Sequence, residues 1–248
     1  MHRVDVVHRI LAANRGTRYL EIGVSRGRTF ARITCETKVA VDPRFRFRVP
    51  ASARLRRLRG PSAKGEHHFE ITSDEFFAAH GEAYGPFDAV LVDGLHTADQ
   101  AFRDVVQAAA LLSPAGVIVM HDCNPLSAPA AAPTLDEATA MDGYTGEWNG
   151  DVFKSVVRVR ATEPTLEAFV LDCDQGLGIV RRRPVAGRQG STTSAAGPAL
   201  EMDAAAIDAL TYDDLDRDRA GLLDLRPPSA LDPVIDDVAA IAASTGAG

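Results

Sequence analysis

Basic residues are in deficit in this chain, 27 lysines and arginines against 34 aspartates and glutamates, leaving a formal charge of −7. Bulk affinity for nucleic acid comes from phosphate neutralisation by excess cations, so nucleic acid is not an expected partner. Cysteine is scarce as well. Cys35, Cys123 and Cys173 are odd in number, widely spaced and without a C-x-x-C pair, which excludes a disulfide framework and a structural zinc site and fits a reducing compartment. No apolar run approaches the ~20 residues needed to cross a bilayer. Residues 4–11 are interrupted by Asp5, His8 and Arg9, so they cannot form the apolar core of a secretory signal. A cytoplasmic protein without a membrane partner is expected. Internal repeats are absent too, and 248 residues suffice for one α/β domain with appendages rather than two domains.

Val4, Val7, Ile10 and Leu11 recur at helical spacing and give an amphipathic opening helix. Short apolar runs follow at residues 19–22, 38–42, 68–71, 87–92 and 117–120, separated by helical segments, of which 97–112 is the clearest. Unbroken apolar strands alternating with helices indicate an open, doubly wound, mostly parallel α/β sheet covered on both faces. Residues 166–171 and 177–180 flank Asp172-Cys173-Asp174-Gln175-Gly176 and read as an antiparallel hairpin that closes the sheet. Residues 124–150, rich in Ala, Pro and Gly, read as a long loop beside the strand ends, with a helix resuming at 151–160. The expected organisation is a domain over 1–183, a flexible linker over 184–202, and an acidic helical extension over 203–248 with a helix at 203–215.

Ligands bind such sheets outside the carboxyl ends of the strands. There the sequence places Glu21-Ile-Gly23-Val-Ser-Arg-Gly27 after the first strand and Asp42 after the second. A glycine turn lets backbone approach a ligand closely, and an acidic side chain on the second strand can accept both hydrogen bonds of a ribose diol. The dinucleotide fingerprint G-x-G-x-x-G fails, because Ser25 holds its second glycine position; this disfavours a nicotinamide-dependent oxidoreductase. Each acid also has a plainer role open to it, Glu21 as a loop brace and Asp42 as a strand-end aspartate before Pro43.

The E-x-G-x-x-x-G pattern resembles that of class I S-adenosylmethionine-dependent methyltransferases. Residues 90–96 (Val-Leu-Val-Asp-Gly-Leu-His) and 117–122 (Val-Ile-Val-Met-His-Asp) are similar to the subgroup called methyltransferase family 24. The resemblance spans residues 17–183. It implies S-adenosylmethionine as cofactor, with Gly23 and Gly27 shaping the loop around its methionine part and Glu21 orienting that loop or meeting the amino group. It further implies Asp42 on the ribose hydroxyls, and Ser73 and Asp74 near the adenine.

Asp93, His96, His121 and Asp122 gather at the ends of the fourth and fifth strands. Methyl transfer to a hydroxyl requires that the hydroxyl lose its proton, to a base such as His96 or with the help of a divalent cation. Asp93 and His96 are the catalytic candidates. Resemblance to metal-dependent O-methyltransferases implies magnesium on Asp93, Asp122 and Asn124, although Cys123 stands where the asparagine adjoining the aspartate is expected. The alternatives are strand-end carboxylates bonded to loop amides and, for His96, a capping or packing histidine. His121 lies closer to the strand and suits a structural role, while His67 and His68 have no assignable partner.

Arg44, Arg46, Arg48, Arg54, Arg56, Arg57 and Arg59 crowd one segment, either to attract an anionic acceptor or as a solvated surface. Trp148, Asp151 and Lys154 are either a cleft rim or a helix start. The function expected is methyl transfer from S-adenosylmethionine to an oxygen of a small molecule. Nitrogen is the alternative acceptor atom, and a cofactor-binding module acting through a protein partner is the alternative class. A homo-oligomer is compatible with all of these.

Overall fold

The computed structural model describes residues 1–53, 60–184, 197 and 200–245. The apolar runs become β1 (Arg18–Ile22), β2 (Thr37–Val41), β3 (Gly65–Phe69), β4 (Phe87–Val92), β5 (Leu112–Met120), β6 (Leu166–Leu171) and β7 (Leu177–Arg182), with a two-residue β8 (Leu225–Arg226). Among the helices are α1 (Arg3–Ala13), α2 (Arg28–Arg32), α3 (Ser73–Phe76), α4 (Ala98–Ala110), α5 (Leu135–Ala140), α6 (Phe153–Thr162), α7 (Ala204–Asp208), α8 (Tyr212–Arg217), α9 (Arg219–Leu223) and α10 (Leu231–Thr245).

The strands form one sheet in the order β3-β2-β1-β4-β5-β7-β6-β8. From β3 to β5 all pairings are parallel; β7 lies antiparallel between β5 and β6, as the hairpin pattern predicts, and β8 runs parallel to β6. Successive side chains of a strand point to opposite faces. Leu20, Ile22, Val90, Val92, Ile118 and Met120 therefore join one core with α4 and α6, while Tyr19, Ala89, Leu91, Val117 and Val119 join the other with α1 and α10. Burying an aliphatic side chain of this size contributes about 1.5–3 kcal/mol, and both faces need it, which is why these strands read as continuous apolar runs.

The hairpin turn reaches the same edge as the carboxyl ends of the parallel strands, because Met120 of β5 pairs with Gly178 at the start of β7. The amino end of α1 arrives there too, fixed by a capping box in which the His2 ring accepts from Val4 N and Asp5 accepts from His2 N.

The helix expected at 203–215 is two helices. Asp203 caps α7, accepting from Ala206 N at 2.8 Å, and Thr211 restarts the chain as the N-cap of α8, with Asp214 completing a capping box. Most of the expected linker, residues 185–196 and 198–199, lies outside the described residues. The carboxyl-terminal helix packs on the domain: Leu231, Val234 and Val238 of α10 are buried in the core that α1 covers. Among the described residues no helix is long and apolar enough to cross a membrane.

Candidate active site

Strand order reverses between β1 and β4, the position at which open α/β sheets bind ligands. A cleft of about 600 Å³ opens there, lined by Glu21, Gly23, Asp42, Ser73, Asp74, Asp93 and His96; small-molecule sites typically measure ~300–1,000 Å³. Gly23 leaves β1 at φ +84°, and a Cβ on it would lie 1.9 Å from the carbonyl oxygen of Asp93. Only glycine lets the ends of β1 and β4 approach this closely. Gly27 is the N-cap of α2, at φ 71°. The Asp42 carboxylate accepts from the amides of Ser25 and Arg44, both at 2.7 Å. A second lone pair remains on each oxygen, so bracing the loop and receiving a diol are compatible.

Glu21 is 2% exposed and accepts from the Tyr19 hydroxyl at 2.6 Å. Burial pushes its carboxyl up to about 8; the Tyr19 bond and Lys38 oppose the shift, and the charge of Asp93 adds to it. At the far end of the cleft Gln100 Nε2 donates to Ser73 Oγ (3.1 Å) and to Asp104 Oδ1 (2.9 Å), and Gln107 Nε2 donates to Asp74 Oδ1 (3.0 Å). Asp104 also lines the cleft. Burial raises its carboxyl to about 6, against the bonds from Ser73 and Gln100.

The opposite lip is a charge cluster. His96 Nε2 lies 3.4 Å from Asp122 Oδ2, and its Nδ1 lies 3.2 Å from the carbonyl oxygen of Trp148. A carbonyl only accepts, so Nδ1 carries a proton and Nε2 turns toward the carboxylate. His121 Nδ1 stands 2.9 Å from Asp122 Oδ2 and 3.2 Å from Asp93 Oδ1. Burial disfavours its charge, but Asp122, Asp174 and Asp93 outweigh burial and hold the imidazole well above its ordinary value. Arg3 bonds Asp93 Oδ2 at 2.8 Å and grips both oxygens of Asp174. Burial alone would raise the Asp93 carboxyl, yet His121 and then Arg3 hold it below the ordinary carboxylate value.

Residues 20–123 match the family model of methyltransferase family 24, described as a methyltransferase domain. Over these residues the chain is similar to a methyltransferase domain. Among curated proteins none matches it. In fold it is similar to a putative caffeoyl-CoA O-methyltransferase from Staphylococcus aureus, at 13% identity over 73% of this chain and 82% of that one, TM-score 0.49. It is likewise similar to an O-methyltransferase from Bacillus cereus in complex with SAH (16%, 74% and 82%, TM-score 0.45) and to the N-methyltransferase NodS from Bradyrhizobium japonicum (14%, 73% and 93%, TM-score 0.42).

The expected metal set of Asp93, Asp122 and Asn124 is not brought together. Asn124 turns away, its Oδ1 accepting from Arg219 Nη1 at 2.6 Å. His96 takes the third place instead, and Asp93, His96 and Asp122 each bring a potential ligand atom within 4.8 Å of the others. Both carboxylates are already engaged, however. Asp93 pairs with Arg3, and Asp122 accepts from Asn149 Nδ2 at 2.8 Å while facing His121. A dication could enter only by displacing protein cations, so these residues do not fit one.

Several residues of the cleft escaped the sequence. Arg3 lies 90 positions from Asp93 and Asn149 lies 27 from Asp122, while Asp174 reaches His121 from the hairpin turn; no local spacing announces them. Gln100 and Asp104 could have been found, since they stand four apart on the polar edge of α4. Trp148 stacks on the His96 ring with centroids 4.9 Å apart. Asp151 caps α4, accepting from Ala98 N at 2.7 Å, and Lys154 donates to the Asp208 carbonyl at 2.9 Å. Arg44, Arg46 and Arg48 are exposed, whereas Phe45 and Phe47 turn inward onto His68. Arg54, Arg56, Arg57 and Arg59 lie outside the described residues. His67 is buried, with Nε2 2.7 Å from the Ala63 carbonyl oxygen.

Proposed function

We propose that this protein transfers the methyl group of S-adenosylmethionine to a hydroxyl oxygen of a small-molecule acceptor. The observation that carries the reading is the His96–Asp122 pair. Two accepting atoms, Nε2 and Oδ2, face each other across 3.4 Å at the lip of the cleft, and a proton delivered to Nε2 satisfies both. A hydroxyl acceptor must give up such a proton as its oxygen attacks, whereas many nitrogen acceptors attack with a free lone pair. General-base help of this kind is worth ~100- to 10,000-fold in rate.

The cleft suits the cofactor: a close-packed glycine turn, free lone pairs on Asp42 for a diol, and a buried Glu21 whose charge a nearby cation would restore. Bound there, S-adenosylmethionine supplies an electrophilic methyl group. The chain's own residues do the rest. Asp42 and the 23–27 loop hold the ribose and methionine portions, His96 Nε2 takes the acceptor's proton, and Asp122 balances the charge that appears on the ring. Trp148 holds the imidazole plane by stacking and by its carbonyl, so that Nε2 keeps its aim. The exposed side chain of Leu95, which lines the cleft, gives the acceptor an apolar approach.

Methyl-labelled S-adenosylmethionine, incubated with the protein and a panel of hydroxylated and amine acceptors, tests this by mass spectrometry of the products. Labelled methyl ethers, lost in His96→Ala while calorimetry still shows cofactor binding, are the expected result. Methylated amines alone, or calorimetry showing no cofactor binding, would overturn it.

A further inference from the structure

We propose that Arg3 occupies the place of a divalent cation in this site, so that Asp93 at the end of β4 and Asp174 in the hairpin turn are held by the protein's own guanidinium and the cluster binds no metal. The inference rests on the cleft being the transfer site, but not on turnover.

Arg3 spends its whole fork on the cluster. Nη1 donates to Asp93 Oδ2 at 2.8 Å, Nε to Asp174 Oδ2 at 3.0 Å and Nη2 to Asp174 Oδ1 at 3.1 Å, while its backbone N–H adds a bond to Asp174 Oδ2 at 2.8 Å. The guanidinium bridges the end of β4 and the hairpin turn, as an ion shared between two carboxylates would. Its side chain is only 16% exposed, and those of Asp93 and Asp174 are 20% and 13%. Nothing in its attachment is loose. The capping box at His2 fixes the first turn of α1, and Val4, Val6, Val7, Ile10 and Leu11 bury the helix behind it.

The remaining oxygens are committed in the same way. Asp122 Oδ1 accepts from Asn149 and Asn124 Oδ1 from Arg219. A magnesium ion demands near-octahedral oxygen ligation, and here Asp93 Oδ2, Asp122 Oδ1 and Asn124 Oδ1 already have donors, while Asp93 Oδ1 and Asp122 Oδ2 face His121 Nδ1 at 3.2 and 2.9 Å. Arginine cannot step aside by losing a proton, because its charge persists at any pH the fold survives. An entering dication would have to break the Arg3 fork and then sit beside a fixed like charge.

Manganese titration followed by electron paramagnetic resonance on the full chain, without cofactor or acceptor, decides the matter. The wild type should leave the free-ion signal undiminished at stoichiometric metal, and EDTA should leave methyl transfer unchanged. Arg3→Ala should take up one ion per chain, and Arg3→Ala combined with Asp93→Asn should lose that uptake. Arg3→Lys, which keeps a cation, should resemble the wild type. Uptake of one ion by the wild type, abolished in Asp93→Asn, would overturn the proposal, as would a folded Arg3→Ala that binds none. Should Arg3→Ala fail to fold, the wild-type and Asp93→Asn titrations decide alone. Since manganese uptake is read without catalysis, failure here is separable from failure of the methyl-transfer reading, which cofactor calorimetry and product analysis address.

Discussion

Asp42 carries two loads, and its removal should show both. It anchors the amides of Ser25 and Arg44, which shape the cofactor loop, and its spare lone pairs face the cleft. Asp42→Ala should weaken S-adenosylmethionine binding by about 1.5–3 kcal/mol, the cost of losing a charged hydrogen-bonding partner, roughly ten- to a hundredfold in Kd. Because the loop loses its brace, the melting temperature should fall as well. Calorimetric titration alongside a thermal melt checks the pair; unchanged affinity in a folded variant would take Asp42 out of the site. Glu21 makes a different prediction. Its folded carboxyl titrates near 8 against an ordinary 4.5, chiefly through burial, so between those values the folded chain holds a proton that the unfolded chain has lost. Stability should therefore fall as pH rises through that window. Glu21→Gln cannot lose a proton there, and its stability–pH curve should be flatter; urea melts at several pH values that parallel the wild type would refute the assignment.

At the scale of elements, the segment from Trp148 to Asp151 does more than begin α6. Trp148 stacks on His96, Asn149 donates to Asp122 and to Gln175, and Asp151 caps α4, the helix that comes after His96. Gly150, at φ +67°, lets this segment pass within a Cβ's reach of the His96 carbonyl, where such an atom would lie at 1.8 Å. One short stretch thus positions both members of the proton-accepting pair. Asn149→Ala should lower kcat by roughly 100-fold, since a misplacement of about 1 Å at a reacting group can cost that much, with the cofactor Kd nearly unchanged. Equal losses in kcat and cofactor affinity would mean that the segment merely holds the cleft wall together. The sequence shows why this was hidden. Strands, helices and the glycine loop declare themselves through periodicity and turn residues close in the chain, so the sheet, the hairpin, Glu21, Gly23, Asp42 and His96 could be placed at the cleft. Arg3, Asn149 and Asp174 reach it across long separations, and no periodic pattern encodes which loop lands on which strand end. Asn124 misled for the same reason: its place in the chain says nothing of Arg219, 95 positions on.

For the whole molecule the instructive region is the carboxyl-terminal one, expected as an extension and found packed into the sheet. β8 adds only two residues beside β6, through Val170↔Leu225 and Leu171↔Arg226, too short a run to read as a strand. α10 lays Leu231, Val234 and Val238 into the core covered by α1, an apolar spacing that was present in the sequence but whose partner was not. The tie that makes this testable is buried. Arg181 of β7 donates to Glu167 of β6 and, at 2.9 Å, to Asp237 of α10, and all three side chains are at most 6% exposed. Removing one member of a buried pair leaves charge without full compensation and costs ~3–5 kcal/mol; with Glu167 still in place, Asp237→Ala should fall at the lower end, about 3 kcal/mol. Asp232, on the same helix, pairs with Arg9 but is 62% exposed, and such pairs contribute only about 0.2–1 kcal/mol. Urea denaturation should therefore show the midpoint of Asp237→Ala shifted several times further than that of Asp232→Ala, with both slopes unchanged. If α10 were an independent appendage, its loss of contact would not reach the sheet, and the main transitions of both variants would overlay the wild type. That outcome would return residues 231–245 to the status of an extension and leave Arg181 to be satisfied within the hairpin alone.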